Sequence, residues 1–202
     1  MAGDVASAFR NVSIHSNSVY LFAGLIEEDN ALVIELAAPF GWTGSPGFYE
    51  IFGGAISHVH GSHTNAIYPA GFFNYHWVDD HINVAVDIGT SCSDMDRSLR
   101  FAMTAILGAE AINDKKFTSW NTRQRVLGLD FDTVAGLVSM PVAKVDKCRR
   151  IVAAAYNTTA LPRKEYRSLM GSLRHVATCI RAARPFLQRL RVCERQLNRF
   201  QR

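Results

Sequence analysis

The run NYHWVDDHINVAV, residues 74–86, constrains this chain more than any other stretch. Tyr75, Trp77 and Val78 precede two adjacent aspartates, and Ile82, Val84 and Val86 follow on alternate positions. Alternation of this kind makes a half-buried strand. Asp is depleted in strands, and neighbouring side chains of a strand point to opposite faces. The pattern predicts one strand over the run, with Asp79 to one side and Asp80 to the other. A local rule broken inside a well-patterned segment marks a place where function is expected.

The remaining segments surround that strand with mixed structure. Residues 20–36 read as a hairpin about the polar turn EEDN, and the Gly- and Pro-rich APFGWTGSPG reads as a loop. Helical spacing predicts a helix over 46–60 and another over 93–112, the latter capped by Ser93 or Asp94. A second hairpin is expected over 125–141, then basic helices over 142–156 and 162–192. Strands that do not strictly alternate with helices favour an α+β fold. The expected organisation is a body over 1–141 and a basic helical segment over 142–202.

Charge divides the chain in the same way. From Lys144 onward there are 15 Lys and Arg against three acids, whereas residues 1–143 carry seven Lys and Arg against 15 acids. A basic tail behind an acidic body suits a metal-binding or catalytic part joined to a grip for a polyanion. The same basic helices also read as solvated faces. No run of 18 apolar residues is present to span a membrane, and the opening MAGDVASAFRNVS lacks a secretory pattern. The four cysteines form no CxxC pair, which suits free thiols in a reducing compartment. An intracellular location, cytoplasm or nucleus, is the expectation.

Asp79 and Asp80 become a metal site only if a carboxylate from another segment joins them, because paired ions sit roughly 4 Å apart. Asp4, in GDVASAF, is the candidate. At this point the chain resembles a family. DVASAF (4–9) resembles the first catalytic motif of reverse transcriptases, and PFGWTGSP (39–46) is similar to the second. WVDD (77–80) looks like the family's aromatic-x-Asp-Asp motif. INDKK (112–116) resembles the fourth motif, and VLGLDFDT (126–133) the primer-grip hairpin. Residues 164–190 look like the helical segment after the palm in retrotransposon enzymes, including those of the tyrosine-recombinase type.

The resemblance implies a polymerase palm, with an antiparallel sheet and packed helices, followed by a thumb-like helical segment. It implies RNA-directed DNA polymerisation: nucleotidyl transfer to a DNA primer 3′-hydroxyl on an RNA or DNA template, from deoxynucleoside triphosphates. Two Mg²⁺ ions would be held by Asp4 and Asp79, with Asp80 assisting. Phe9 would exclude a ribose 2′-hydroxyl, and Phe40 and Gly41 would line the nucleotide pocket. Lys116, or less directly Lys115, would protonate pyrophosphate. Leu127 and Gly128 would lie near the primer end, and Arg181, Arg184 and Arg189 would contact phosphates. Phe9 and Trp42 read equally well as core aromatics. Nothing ahead of Asp4 matches the family's fingers, so the expectation is an incomplete enzyme, inactive alone, its Asp4 strand frayed.

Two other classes remain open. One is a degenerate palm that binds nucleic acid without catalysis. The other is a zinc hydrolase built on HVHGSH: His58, His60 and His63 are similar to part of the metallo-β-lactamase motif, with Ser62 where that motif wants Asp and His81 a further candidate ligand. A polar loop after a helix also accounts for the three histidines.

Overall fold

In the computed structural model, which describes residues 1–199 and their side chains as far as residue 195, the chain divides into two compact units, Met1–Asn121 and Thr122–Arg202. Each is an α+β assembly of short antiparallel strands and helices. The boundary expected at 141/142 falls within the second unit, which takes in the 125–141 segment. No helix among the described residues is long and apolar enough to cross a membrane.

The first unit runs β1 (Ala2–Asp4), the hairpin β2 (Ala23–Ile26) and β3 (Ala31–Ile34), α1 (Ser45–Ser62), β4 (Asn74–Trp77), β5 (Asp80–Asn83) and α2 (Ser91–Leu107). β2 and β3 form the expected hairpin around the 27–30 turn. Pro46 opens α1, where its missing N–H costs no bond. Tyr49, Gly53, Ile56 and His60 make the buried stripe of α1, and Met95, Leu99, Ala102 and Met103 that of α2. These stripes face each other, and Val5, Ala8 and Phe9 complete the core. Thr90, rather than Ser93 or Asp94, stands at the α2 N-cap, and its hydroxyl donates to Asp94 at 2.7 Å. α2 stops at Leu107, short of the expected 112, because Gly108 turns the chain at φ 91°.

The single strand expected over 74–86 is two strands. β4 and β5 pair as a hairpin with Trp77 opposite Asp80, and Val78 and Asp79 are its two-residue turn. Val78 takes φ 54°, a left-handed conformation that a β-branched residue adopts only under strain. The apolar positions change phase across the turn, from 75 and 77 to 82, 84 and 86, a shift that the single-strand reading passes over. Strand order is β1-β5-β4, all antiparallel.

β4 is fastened to α1 by polar contacts. The His76 ring bonds Ser57 Oγ through Nδ1 at 2.8 Å and Glu50 Oε1 through Nε2 at 2.9 Å. Gly53 admits that ring, since a Cβ there would lie 3.2 Å from His76 Cδ2 and 3.3 Å from the Val78 carbonyl oxygen.

The second unit begins with a three-stranded antiparallel sheet, β6 (Arg123–Val126), β7 (Leu129–Asp132) and β8 (Leu137–Ser139). Leu127 and Gly128 form the β6–β7 turn at φ 50° and 73°. A two-residue turn with both φ values positive matches the right-handed twist of a hairpin. The segment read as one hairpin over 125–141 therefore carries a third strand. Helices α3 (Val142–Tyr156), α4 (Arg163–Cys179) and α5 (Arg184–Arg199) follow. The single helix expected over 162–192 is broken between Cys179 and Arg184 by a 3₁₀ turn. Pro185 explains the break: it lacks an N–H and fits only the first turn of a helix. Residues 200–202 of the expected basic segment lie outside the described residues.

Candidate active site

β1 has three residues, and a free strand of that length would fray. It is instead held along both edges. On one side Ala2, Gly3 and Asp4 lie opposite Ile82, His81 and Asp80 of β5, and Val5 N–H donates to the Asp79 carbonyl at 3.0 Å. On the other side the 111–118 segment acts as a neighbour. Ala6 N–H donates to Ala111 O at 2.8 Å, Asn113 N–H to Asp4 O at 3.2 Å and Thr118 N–H to Ala2 O at 2.9 Å. Gly3 sits where a Cβ would come within 2.7 Å of the Phe117 ring. The expected fraying of the Asp4 strand is thus corrected by these two edges.

This clamp gathers the acidic residues. Asp4 stands directly across from Asp80, and residues opposite each other in an antiparallel pair share a face. Asp79 lies in the turn, so strand alternation does not govern it. The Asp80 carboxyl is pushed above its ordinary range by burial, then by the charges of Asp79 and Asp4. Tyr49 is pushed upward by burial and by the same two carboxylates, with Glu50 adding to them. In both cases burial is the larger cause and the neighbouring carboxylates add to it.

Asp4 is 3% exposed, and both its oxygens are engaged. Asn113 Nδ2 donates to Oδ1 at 2.7 Å, and the Lys116 ammonium donates to Oδ2 at 2.9 Å. The Lys116 side chain is 62% exposed, so it reaches inward from solvent. Its pKa is raised by the hydrogen bond and charge of Asp4, and further by Asp79 and Asp80. Lys115 is exposed.

An aromatic group adjoins the carboxylates. Phe9 is buried, with its ring 5.0 Å from Phe40 and 6.0 Å, edge-on, from Tyr49. Phe40 is 75% exposed and Gly41 turns the chain at φ 93°. Trp42 packs away from this group, stacked on Phe48 and edge-on to Phe22. Tyr49 and Asn113 were not singled out in the sequence. Asn113 lies within INDKK, but its carboxamide gains meaning only once Asp4 is beside it. Tyr49 reads as one more apolar position of α1, and its hydroxyl is buried without a partner.

Three carboxylates make a hard oxygen donor set of the kind Mg²⁺ takes. As they are arranged here, the described residues contain no group of three His, Cys, Asp or Glu side chains that could hold an ion. Both oxygens of Asp4 are instead taken by Asn113 and Lys116.

The histidines of HVHGSH disperse. His58 is exposed on α1. His60 is buried with Nδ1 on Ser98 Oγ and Nε2 on Asn83 Oδ1, each at 2.8 Å, and burial lowers its pKa. His63 bonds the Val59 carbonyl at 2.7 Å and packs edge-on to Phe101. His81 is fully buried beneath β5, stacked on His76, with its pKa lowered to about 3 by burial. His60 and His63 are committed to structure.

In the second unit, Leu127 and Gly128 occupy the tip of the β6–β7 hairpin. The Lys144 ammonium donates to Gly128 O at 3.0 Å and lies 3.4 Å from His175 Nε2. Arg181 is exposed in the 3₁₀ turn, Arg184 donates to the Ala177 carbonyl at 3.2 Å, and Arg189 is exposed on α5.

No protein-family model and no curated protein sequence matched this chain.

Proposed function

We propose that Met1–Asn121 is a palm-type nucleotidyl-transfer centre of reverse-transcriptase kind, and that the basic second unit binds the nucleic acid it acts on. One observation carries the reading. Asp4 and Asp80, far apart in sequence, lie opposite each other on paired antiparallel strands, with Asp79 in the adjoining turn and Lys116 drawn onto Asp4. A strained two-residue turn presents Asp79.

In this reading Asp4 and Asp79, assisted by Asp80, hold two Mg²⁺ ions. When bound, the metal pair would activate the primer hydroxyl and steady the leaving pyrophosphate. The chain's own residues do the rest. Phe9, backed by Phe40 and Tyr49, forms a wall that rejects a ribose 2′-hydroxyl by bulk. Lys116 supplies a proton and positive charge at the edge of the site. Leu127 and Gly128 meet the primer strand, while Arg181, Arg184 and Arg189 meet phosphates on a template–primer duplex.

The test is primer extension with deoxynucleoside triphosphates and Mg²⁺, by the chain fused behind a matching fingers segment. Extension is expected, and Asp79→Asn should remove it, because a neutral amide cannot balance cationic charge. Full activity of the Asp79→Asn fusion would sink the assignment.

A second reading, a nucleic-acid binder without catalysis, is favoured by the occupied state of Asp4. Salt-dependent binding of duplex without any divalent-cation site would select it.

A further inference from the structure

We propose that Ser57, His76 and Glu50 form a separate catalytic centre of serine-esterase type, which cleaves uncharged aryl esters seated beside Trp77. It uses none of the residues assigned to nucleotidyl transfer and stands or falls apart from that reading.

Three observations carry it. First, the side chains form an unbroken chain of hydrogen bonds, Ser57 Oγ to His76 Nδ1 at 2.8 Å and His76 Nε2 to Glu50 Oε1 at 2.9 Å. A carboxylate only accepts, so Nε2 carries the ring proton and Nδ1 is left to accept from the Ser57 hydroxyl. Nucleophile, base and orienting acid in that order are the arrangement of an activated serine, whatever fold holds it. A mid-helix serine commonly turns its hydroxyl back onto a carbonyl of the preceding turn, and Ser57 does not. Second, the chain of bonds is accessible. Glu50, Ser57 and His76 all line an open cleft of about 870 Å³ between α1 and β4, with Tyr75 and Trp77 on its wall. Third, the turn of α1 ahead of Ser57 is bare. Helical side chains lean toward the N-terminus, over the residues three and four before them, and for Ser57 these are Gly54 and Gly53. A Cβ at Gly54 would meet nothing within 4 Å, so room is left beside the hydroxyl for an acyl group.

The cleft sets the substrate class. Trp77 and Tyr75 offer it exposed rings, and among the described residues no Lys or Arg lines it, while Glu50 repels anions. An uncharged aryl ester presents a ring to stack on Trp77, and its aryloxide leaves readily. Ser57 Oγ adds to the ester carbonyl carbon as its proton passes to His76 Nδ1. The bond from that carbon to the aryl oxygen breaks, and the aryloxide takes the proton and leaves as a phenol. Water then adds to the acyl carbon and gives its proton to Nδ1. The bond to Ser57 breaks, Oγ regains the proton, and a carboxylic acid departs. Glu50 acts through the ring, as a positioning residue that fixes its tautomer.

The experiment treats the full chain with a fluorophosphonate and maps adducts by mass spectrometry. Ser57 Oγ should displace fluoride and gain the phosphonyl group in the native chain, and should not do so in urea. The adduct should vanish in His76→Gln. In parallel, hydrolysis of p-nitrophenyl butyrate is followed by release of p-nitrophenolate. Ser57→Ala, which a helix tolerates well, should lower kcat by about a hundredfold or more. Glu50→Gln should lower kcat by about tenfold or more with KM unchanged, a split that lost packing would not produce. No adduct at Ser57 in the native wild type, or full hydrolysis by Ser57→Ala, overturns the proposal and leaves these bonds as a fastening of β4 to α1. An adduct that persists in His76→Gln or in urea overturns it too, since the serine would then react without its base.

Discussion

Asp80 shows how the site strains single residues. Its folded-state pKa lies above the ordinary 3.8, through burial and then the charges of Asp79 and Asp4. The folded chain therefore holds this proton to higher pH than the unfolded chain does. Ionised Asp80 works against folding, and the penalty grows as pH rises through that window and is full at neutrality. Asp80→Asn should raise the urea midpoint at pH 7, by no more than about 1 kcal/mol because the residue is partly solvated. The gain should disappear below the ordinary carboxyl range. An unchanged or lower midpoint at pH 7 would mean that the neighbouring anions do not bear on Asp80. The adjacent pair was legible as an anomaly, since two acids interrupted an apolar run. The Lys116 and Asn113 contacts on Asp4 were not, because they depend on a pairing across more than a hundred positions.

Among the elements, the two hairpin turns carry the lesson. The single-strand reading passed over a change of phase, from Tyr75 and Trp77 to Val78 and Ile82, because Val78 carries no turn signal. Tertiary packing overrides its propensity: Val78 packs against the core while the turn projects Asp79. The hairpins about 27–30 and 127–128 were legible because polar or Gly residues mark them. Helices were read well in their interiors and poorly at their ends, where Gly108 and Pro185 act on only one residue each. The β6–β7 turn supports a prediction with two readouts. Leu127 holds φ 50° ahead of Gly128, a place where Asn-Gly is preferred. Leu127→Asn should stabilise the protein by about 1 kcal/mol in urea denaturation, as a left-handed penalty is relieved. If the turn touches the primer strand, the same change should weaken duplex binding. Stability that rises with affinity unchanged would leave the turn a purely structural element.

For the molecule as a whole, charge asymmetry was the most legible property and needs no fold to be read. It yields a prediction about salt. Duplex affinity should fall steeply with ionic strength, since counterions are released when basic groups meet phosphates. Replacing Arg181, Arg184 and Arg189 by Ala should reduce the slope of log affinity against log salt by about 3 if all three meet phosphates. Absence of binding at low salt, or an unchanged slope, would leave the basic helices as solvated faces. The assembly of the first unit was legible only in part: the meeting of Asp4 with the Asp79–Asp80 pair was anticipated, the 111–118 edge was not. That double clamp on β1 governs how such a site can be lost. Point substitutions at Asp79 or Lys116 touch a turn and an exposed stem and can accumulate while the sheet survives. Removing residues 1–6 takes away β1 itself with core residue Val5, and removing 111–118 takes away one of its two edges with core residue Ala111. A lineage can therefore silence this site one side chain at a time, but cannot prune it away and keep the fold.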